Sequence, residues 1–92
     1  MDPHRIAERL AALEGWALAP DGRAIRRRFE VKGFARAVEM ANLAAWLGNR
    51  RNHHPDVTFG WGYCEVRFST HEAGGLTEAD FACAAHLNDL LS

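Results

Sequence analysis

The stretch NHHPDVTFGW, Asn52 to Trp61, carries two adjacent histidines, and a third, His71, follows the next apolar run. Imidazole is the side chain whose ordinary pKa lies nearest neutrality, so a pair of them can supply both a proton donor and a proton acceptor. Ser69, Thr70 and Glu72 flank His71 and offer hydrogen-bonding groups to a polar ring. Three imidazoles also meet the ligand count of a metal site. Against the metal, no further His or Cys lies nearby in the sequence, and neighbouring histidines rarely both reach one ion. The third reading is that all three are ordinary surface or core residues. The choice depends on whether the chain folds so that they meet.

The elements around them are readable from pattern. DVTFGW and YCEVRFST alternate apolar and polar residues, as two strands of a hairpin with its turn in Trp61-Gly62-Tyr63. In an antiparallel pair the start of one strand lies beside the end of the next. If Gly62 and Tyr63 are the turn residues, His54 opposes His71. A turn one residue earlier puts His54 opposite Ser69, with His71 on the diagonal. Either register brings side chains at these positions within roughly 4.5–8 Å of each other. Pro55 pushes His54 into an extended conformation. Whether His53 joins the other two is left open by the pattern.

The remaining elements follow the same logic. DPHRIAERLAALEGW reads as a helix capped by Asp2, with Pro3 in its first turn, Ile6, Leu10 and Leu13 on one face and Gly15 as its stop. WALAPDGRAIRRRFEV reads as two short strands about the turn Pro20-Asp21-Gly22. Arg27 breaks the alternation on the apolar side of the second. GFARAVEMANLAAWLGN reads as a helix apolar nearly all round. Phe34, Val38, Ala41 and Ala45 share one face; Ala37, Met40, Ala44 and Leu47 share another; Leu43 and Trp46 add to it. Such a helix is buried on more than one side, which implies a sheet on one side and a second subunit on the other, the alternative being an internal helix within a monomer. After a Gly-rich bend, Thr77-x-x-Asp80 resembles a capping box that opens a last helix. Ala79, Cys83, Leu87 and Leu90 are its expected core face. The order α-β-β-α-β-β-α predicts an α+β domain spanning 1–92, a four-stranded antiparallel sheet with three helices packed on one face.

Composition bounds the function class. The 92 residues are 48% hydrophobic and 25% charged, with a formal net charge of -1. That is an ordinary globular balance, with no field that would draw nucleic acid or an anionic membrane. The run Arg26-Arg27-Arg28 cannot form one patch, because alternate strand residues face opposite ways. Cys64 and Cys83 lack CxxC spacing and sit among apolar neighbours, as reduced, buried cysteines of a cytoplasmic protein do. The first ten residues hold no apolar signal-peptide core, and no segment is long enough to span a bilayer.

The residues His53-His54-Pro55, Trp61, His71 and Asp80, with the run RFSTHEAGGLTEAD, resemble the pterin-4a-carbinolamine dehydratases in identity and spacing. The strand and helix order agrees over nearly the whole chain. The resemblance implies dehydration of 4a-hydroxytetrahydropterin to quinonoid dihydropterin, without metal or other cofactor, in recycling the pterin used by aromatic amino acid hydroxylases. It implies that His53 and His54 protonate the departing hydroxyl and that His71 positions the ring or takes a proton. Ser69, Thr70, Glu72, Trp61 and Asp80 are then candidates for binding the substrate. Asp80 has an equal reading as a helix cap, and Trp61 one as core packing. His4 and His86 match nothing and read as helix-surface residues. One position departs from the family pattern: Asn49 stands where an ionisable residue is usual, four before the first histidine, so a carboxylate that would tune His53 is absent there. Family members are commonly dimers or tetramers with a central helix bundle, which implies a homodimer or homotetramer through the second helix and the sheet. Animal members also serve as dimerisation cofactors of a transcription factor, so a non-catalytic partner-binding protein is the alternative, and a histidine-cluster metal protein a third.

Overall fold

A computed structural model describes all residues, 1–92. Helix α1 spans Pro3–Ala11, strands β1 and β2 Ala17–Leu18 and Ile25–Glu30, and helix α2 Gly33–Arg51. Strands β3, Asp56–Gly60, and β4, Tyr63–Phe68, follow. A 3-10 turn at His71–Ala73 then leads into helix α3, Glu78–Leu91. The sheet is antiparallel throughout, in the order β1-β2-β4-β3. The α+β architecture and the α-β-β-α-β-β-α order are those expected from the sequence.

Register separates the two faces of the sheet. Ile25 pairs with Phe68, Arg27 with Val66 and Phe29 with Cys64, while Val57 and Phe59 of β3 pair with Val66 and Cys64. Opposed residues share a face, so these side chains make the core face. Arg26, Arg28, Glu30, Glu65, Arg67, Asp56 and Thr58 point the other way, a polar face without a helix. Helices α2 and α3 close the core with Ala44, Leu47, Phe81, Ala84 and Leu87, and α1 adds Ile6. Each fully buried large side chain such as Phe68, Phe81 or Leu47 contributes roughly 1.5–3 kcal/mol.

Several details differ from the sequence reading, each for a local reason. Helix α1 stops at Ala11, before Gly15. A turn intervenes, and Gly15, at φ 85°, then passes so close to the Arg27 guanidinium that a Cβ there would collide with it. Arg27 does lie on the core face, between Ile25 and Phe29, and is only half-buried there. Its Nη1 donates to the Glu14 carbonyl at 3.1 Å and to Asn88 Oδ1 at 2.7 Å, and the guanidinium caps the Phe29 ring. On α2, Ala37, Ala44, Leu47 and Gly48 are buried, whereas Phe34 and Trp46 are about half exposed. On α3 Cys83 and Leu87 are buried as expected and Asp80, Phe81 and Ala84 join them, whereas Ala79 and Leu90, also expected inside, are exposed. Asp80 turns inward because its partners, described below, lie inside. Cys64 and Cys83 are free and buried, and burial pushes both thiols up.

Candidate active site

The two adjacent histidines are fixed by the way α2 ends. Asn52 takes the left-handed conformation (φ 51°) as the helix C-cap, a role Asn tolerates better than most residues. The chain then folds back, and the His53 amide donates to the Gly48 carbonyl at 3.0 Å. Gly48 is needed there. A Cβ at this position would come to 2.7 Å of Pro55 Cδ and 3.3 Å of His54 Cα. The glycine therefore lets the His-His-Pro segment lie against the helix, and no motif in the sequence pointed to it.

His53 turns inward. Its ring stacks on Phe68 at 6.2 Å between centroids, and its Nε2 meets Asp80 Oδ1 at 2.6 Å. The histidine side chain is 17% exposed and the aspartate wholly buried. Asp80 Oδ2 accepts from the Thr70 hydroxyl at 2.9 Å and from the Thr77 amide at 2.9 Å, and the Thr77 hydroxyl bonds to that of Thr70 at 2.8 Å. The helix-cap reading of Asp80 therefore holds, and the same side chain reaches His53; wholly buried with both oxygens engaged, it presents no free oxygen to the cleft. With Thr70 and the Thr77 amide both donating to Asp80, the carboxylate oxygen facing the ring accepts from His53 Nε2, which leaves Nδ1 without a protein partner. A hydrogen-bonded carboxylate behind an imidazole fixes its tautomer and ring orientation.

His54 points elsewhere. Its Nε2 donates to Asn49 Oδ1 at 3.0 Å, which leaves its Nδ1 free as well. Asn49 thus serves His54 and not His53, and His53 has its carboxylate from Asp80. The expectation that the Asn49 departure deprives His53 of a carboxylate is corrected by this geometry.

His71 opens the 3-10 turn beyond β4. The hairpin adopts the earlier turn, with Gly60 opposite Tyr63 and Gly62 at φ 88°. That is the register in which His71 stands diagonal to His54. Asn52, His53, His54, Ser69, His71 and Glu72 line one open cleft of about 180 Å³. All three histidines therefore line one cleft. Thr70 turns away from them to hold Asp80. Trp61 does not reach the cleft: it occupies the hairpin turn at the far end of β3 and is 78% exposed, so it does not pack in the core either. His86, read as a surface residue, is half-buried and accepts from Arg51 Nε at 2.8 Å. No three His, Cys, Asp or Glu side chains are grouped so that they could hold a metal ion.

Fold and cleft together define a small α+β protein with an open cleft lined by three imidazoles, one of them backed by a buried carboxylate. The family model described as Pterin 4 alpha carbinolamine dehydratase matches residues 1–90, and the chain belongs to that family. Among its relatives, a provisionally named pterin-4-alpha-carbinolamine dehydratase of Paracoccus denitrificans is 49% identical over 79 residues, 86% of this chain and 74% of the relative. One of Nitrosospira multiformis, named in the same way, is 37% identical over 90 residues, 98% of this chain and 78% of its own. The crystal structure of a transcriptional coactivator/pterin dehydratase from Brucella melitensis superposes with a TM-score of 0.88 at 32% identity, over 100% of this chain and 98% of that one. A pterin dehydratase-like protein identified as a RuBisCO assembly factor of the alpha-carboxysome has a TM-score of 0.66 at 23% identity, covering 84% of this chain and 89% of that one, a likeness of fold alone. No helix is long and apolar enough to cross a membrane.

Proposed function

We propose that this protein dehydrates 4a-hydroxytetrahydropterins to quinonoid dihydropterins by histidine acid–base catalysis, in the recycling of a pterin cofactor, as a cytoplasmic enzyme. The observation that carries the reading is the His53–Asp80 contact of 2.6 Å beside His54 and His71 in one cleft. The reaction breaks the C4a–O bond. The hydroxyl leaves as water once it receives a proton, a ring nitrogen supplies the electron pair that forms the new double bond to C4a, and a nitrogen-bound proton departs. Nothing is oxidised or reduced, so imidazoles alone meet the chemical need. His53 and His54 each have Nε2 engaged by a protein oxygen and Nδ1 left over; one of them, protonated at Nδ1 as the imidazolium, delivers the proton to the leaving hydroxyl and is left neutral. His71, on its exposed turn, positions the ring or accepts the departing proton. Positioned acid and base groups contribute about 10²–10⁴-fold to such a step.

The experiment is turnover of a synthetic carbinolamine by wild type, His54→Ala and His71→Ala, with circular dichroism to check the fold. Strong loss of turnover in both folded variants supports the reading, and near-normal turnover in both contradicts it.

The protein acts as a homodimer or homotetramer in which α2 packs on its copies. Trp46 leaves apolar surface on the side of α2 away from the core, and Phe34, beside Phe59 of β3, is half exposed on its flank; large exposed apolar patches mark association sites. The same surface is what a non-catalytic partner-binding role would use. A histidine cleft backed by a buried carboxylate has no purpose in such a role, which is why catalysis is preferred.

A further inference from the structure

The histidine cleft is too small to hold a whole pterin with its side chain. Its volume of about 180 Å³ falls below the roughly 300–1,000 Å³ of ligand pockets in general. A second cleft of about 290 Å³ adjoins it and shares Ser69 and His71 as a common wall. Its far end is formed by Asp21 and Arg23, from the β1–β2 turn, and by Arg67 of β4. Arg67 and Ser69 are two residues apart on one run of chain, so both stand on the polar face of the sheet. A ring seated against Ser69 and His71 therefore directs its substituent along β4 toward the two arginines.

The charges there are unequal. Arg67 Nη2 pairs with Asp21 Oδ2 at 3.3 Å. The Asp21 carboxyl is held below its ordinary range, first by the Arg23 backbone N–H and then by the Arg67 side chain, against a desolvation effect of opposite sign. The Arg23 guanidinium makes no ion pair of its own. One cation is thus left over, beside a second arginine whose fork of five donors is only partly used.

We propose that this second cleft selects pterins whose C6 side chain carries an acidic group, a carboxylate or a phosphate, with Arg23 as the main contact and Arg67 shared between the ligand and Asp21. The inference rests on the dehydratase reading above and adds the class of substrate. The test compares three carbinolamines: the 4a-hydroxy adducts of 6-methyltetrahydropterin, which has a neutral side chain, of tetrahydrofolate, which ends in carboxylates, and of a tetrahydropterin phosphorylated on its C6 side chain. Wild type is expected to favour the acidic substrates by about five- to tenfold in kcat/KM, chiefly through KM, with the preference falling as salt is raised. Arg23→Gln should bring the ratio of acidic to neutral substrate toward one. Asp21→Asn, which keeps a side-chain acceptor for the Arg23 amide but removes the competing charge, should widen the ratio. A preference for only one of the two acidic substrates identifies which group the cleft takes. Equal turnover of all three, unaltered by either substitution, overturns the acidic-tail inference and leaves the dehydratase reading standing. Turnover of none contradicts the dehydratase reading itself, and the inference with it.

Discussion

His53 Nε2 and Asp80 Oδ1 lie 2.6 Å apart, although 27 residues separate them in the chain and they come from opposite ends of the fold's second half. The contact ties the end of α2 to the start of α3 across Phe68. Asp80 is completely buried, and each of its oxygens is used. Replacing it by Asn keeps the volume but presents an N–H group to at least one donor. Asp80→Asn should lower kcat about ten- to hundredfold with little change in KM, because His53 loses its orientation and not its place. It should also cost about 1–3 kcal/mol of stability, from the donor left unsatisfied. Steady-state kinetics and urea unfolding check the two effects, and a change in KM alone would mean that Asp80 only shapes the binding surface.

Asn49 and His54 offer a second test. Asn49→Asp places a carboxylate against His54 Nε2, where the wild type has a neutral oxygen at 3.0 Å. An opposite charge at that distance favours the protonated imidazole. The limb of the pH–rate profile that depends on a protonated histidine should move to higher pH in this variant. A profile that coincides with wild type would show that His54 is not the proton donor.

The sequence made the histidine cluster and the fold legible because both rest on short-range regularities. Alternation in DVTFGW and YCEVRFST forced His54 and His71 to the same end of a hairpin under either register. The inward turn of His53 was not legible, because it depends on a helix ending in a left-handed Asn52 and on a glycine four residues earlier. Gly48 looks unremarkable in the pattern; its meaning lies in what a Cβ would meet. The core face of α3 is legible only at Cys83 and Leu87, for a related reason. Apolar spacing pointed to Ala79 and Leu90, but the buried position at the start of the helix belongs to a carboxylate, whose partners Thr70 and His53 lie on other elements.

Gly48→Ala follows from that point. A methyl group at 2.7 Å from Pro55 Cδ must move the His-His-Pro segment. Helix propensity alone favours Ala over Gly by roughly 0.5–1 kcal/mol, but overpacking of this kind costs typically about 1–3 kcal/mol. Net destabilisation and a fall in turnover are expected together. Thermal unfolding and kinetics on the same preparation would check this, and a stabilised, fully active variant would show that the close approach is not needed.

The buried thiols predict a sign for alkaline stability. Desolvation raises both Cys64 and Cys83, so the folded state holds these protons more tightly than the unfolded chain. Their contribution is fully present below the ordinary thiol range, around pH 9, and is lost as pH rises toward the raised folded values. Native protein should react slowly with iodoacetamide at pH 8, and its melting temperature should fall from pH 8 to pH 10 more than that of a double Cys→Ala variant corrected for its own baseline. Fast alkylation without unfolding would contradict the burial of the two side chains.

Assembly can be probed at Trp46, which is half exposed on α2, whereas Leu43 packs partly against the core and is the poorer choice. Trp46→Glu should reduce the mass seen by light scattering while circular dichroism stays constant, since a charge in an apolar interface between copies costs its desolvation. A wild-type mass of one chain at micromolar concentration would remove the need for any interface on that face.

Dehydration of a pterin carbinolamine in the histidine cleft can be followed as it happens. Its most direct test is the disappearance of a freshly generated 4a-hydroxytetrahydropterin, followed by stopped-flow absorbance with and without the protein, in the presence of a chelator. The protein should accelerate the decay well above the spontaneous rate, the chelator should make no difference, and His53→Ala, His54→Ala and His71→Ala should each remove much of the acceleration. Decay no faster than in buffer, or acceleration abolished by the chelator and restored by zinc, would contradict dehydration by the histidines.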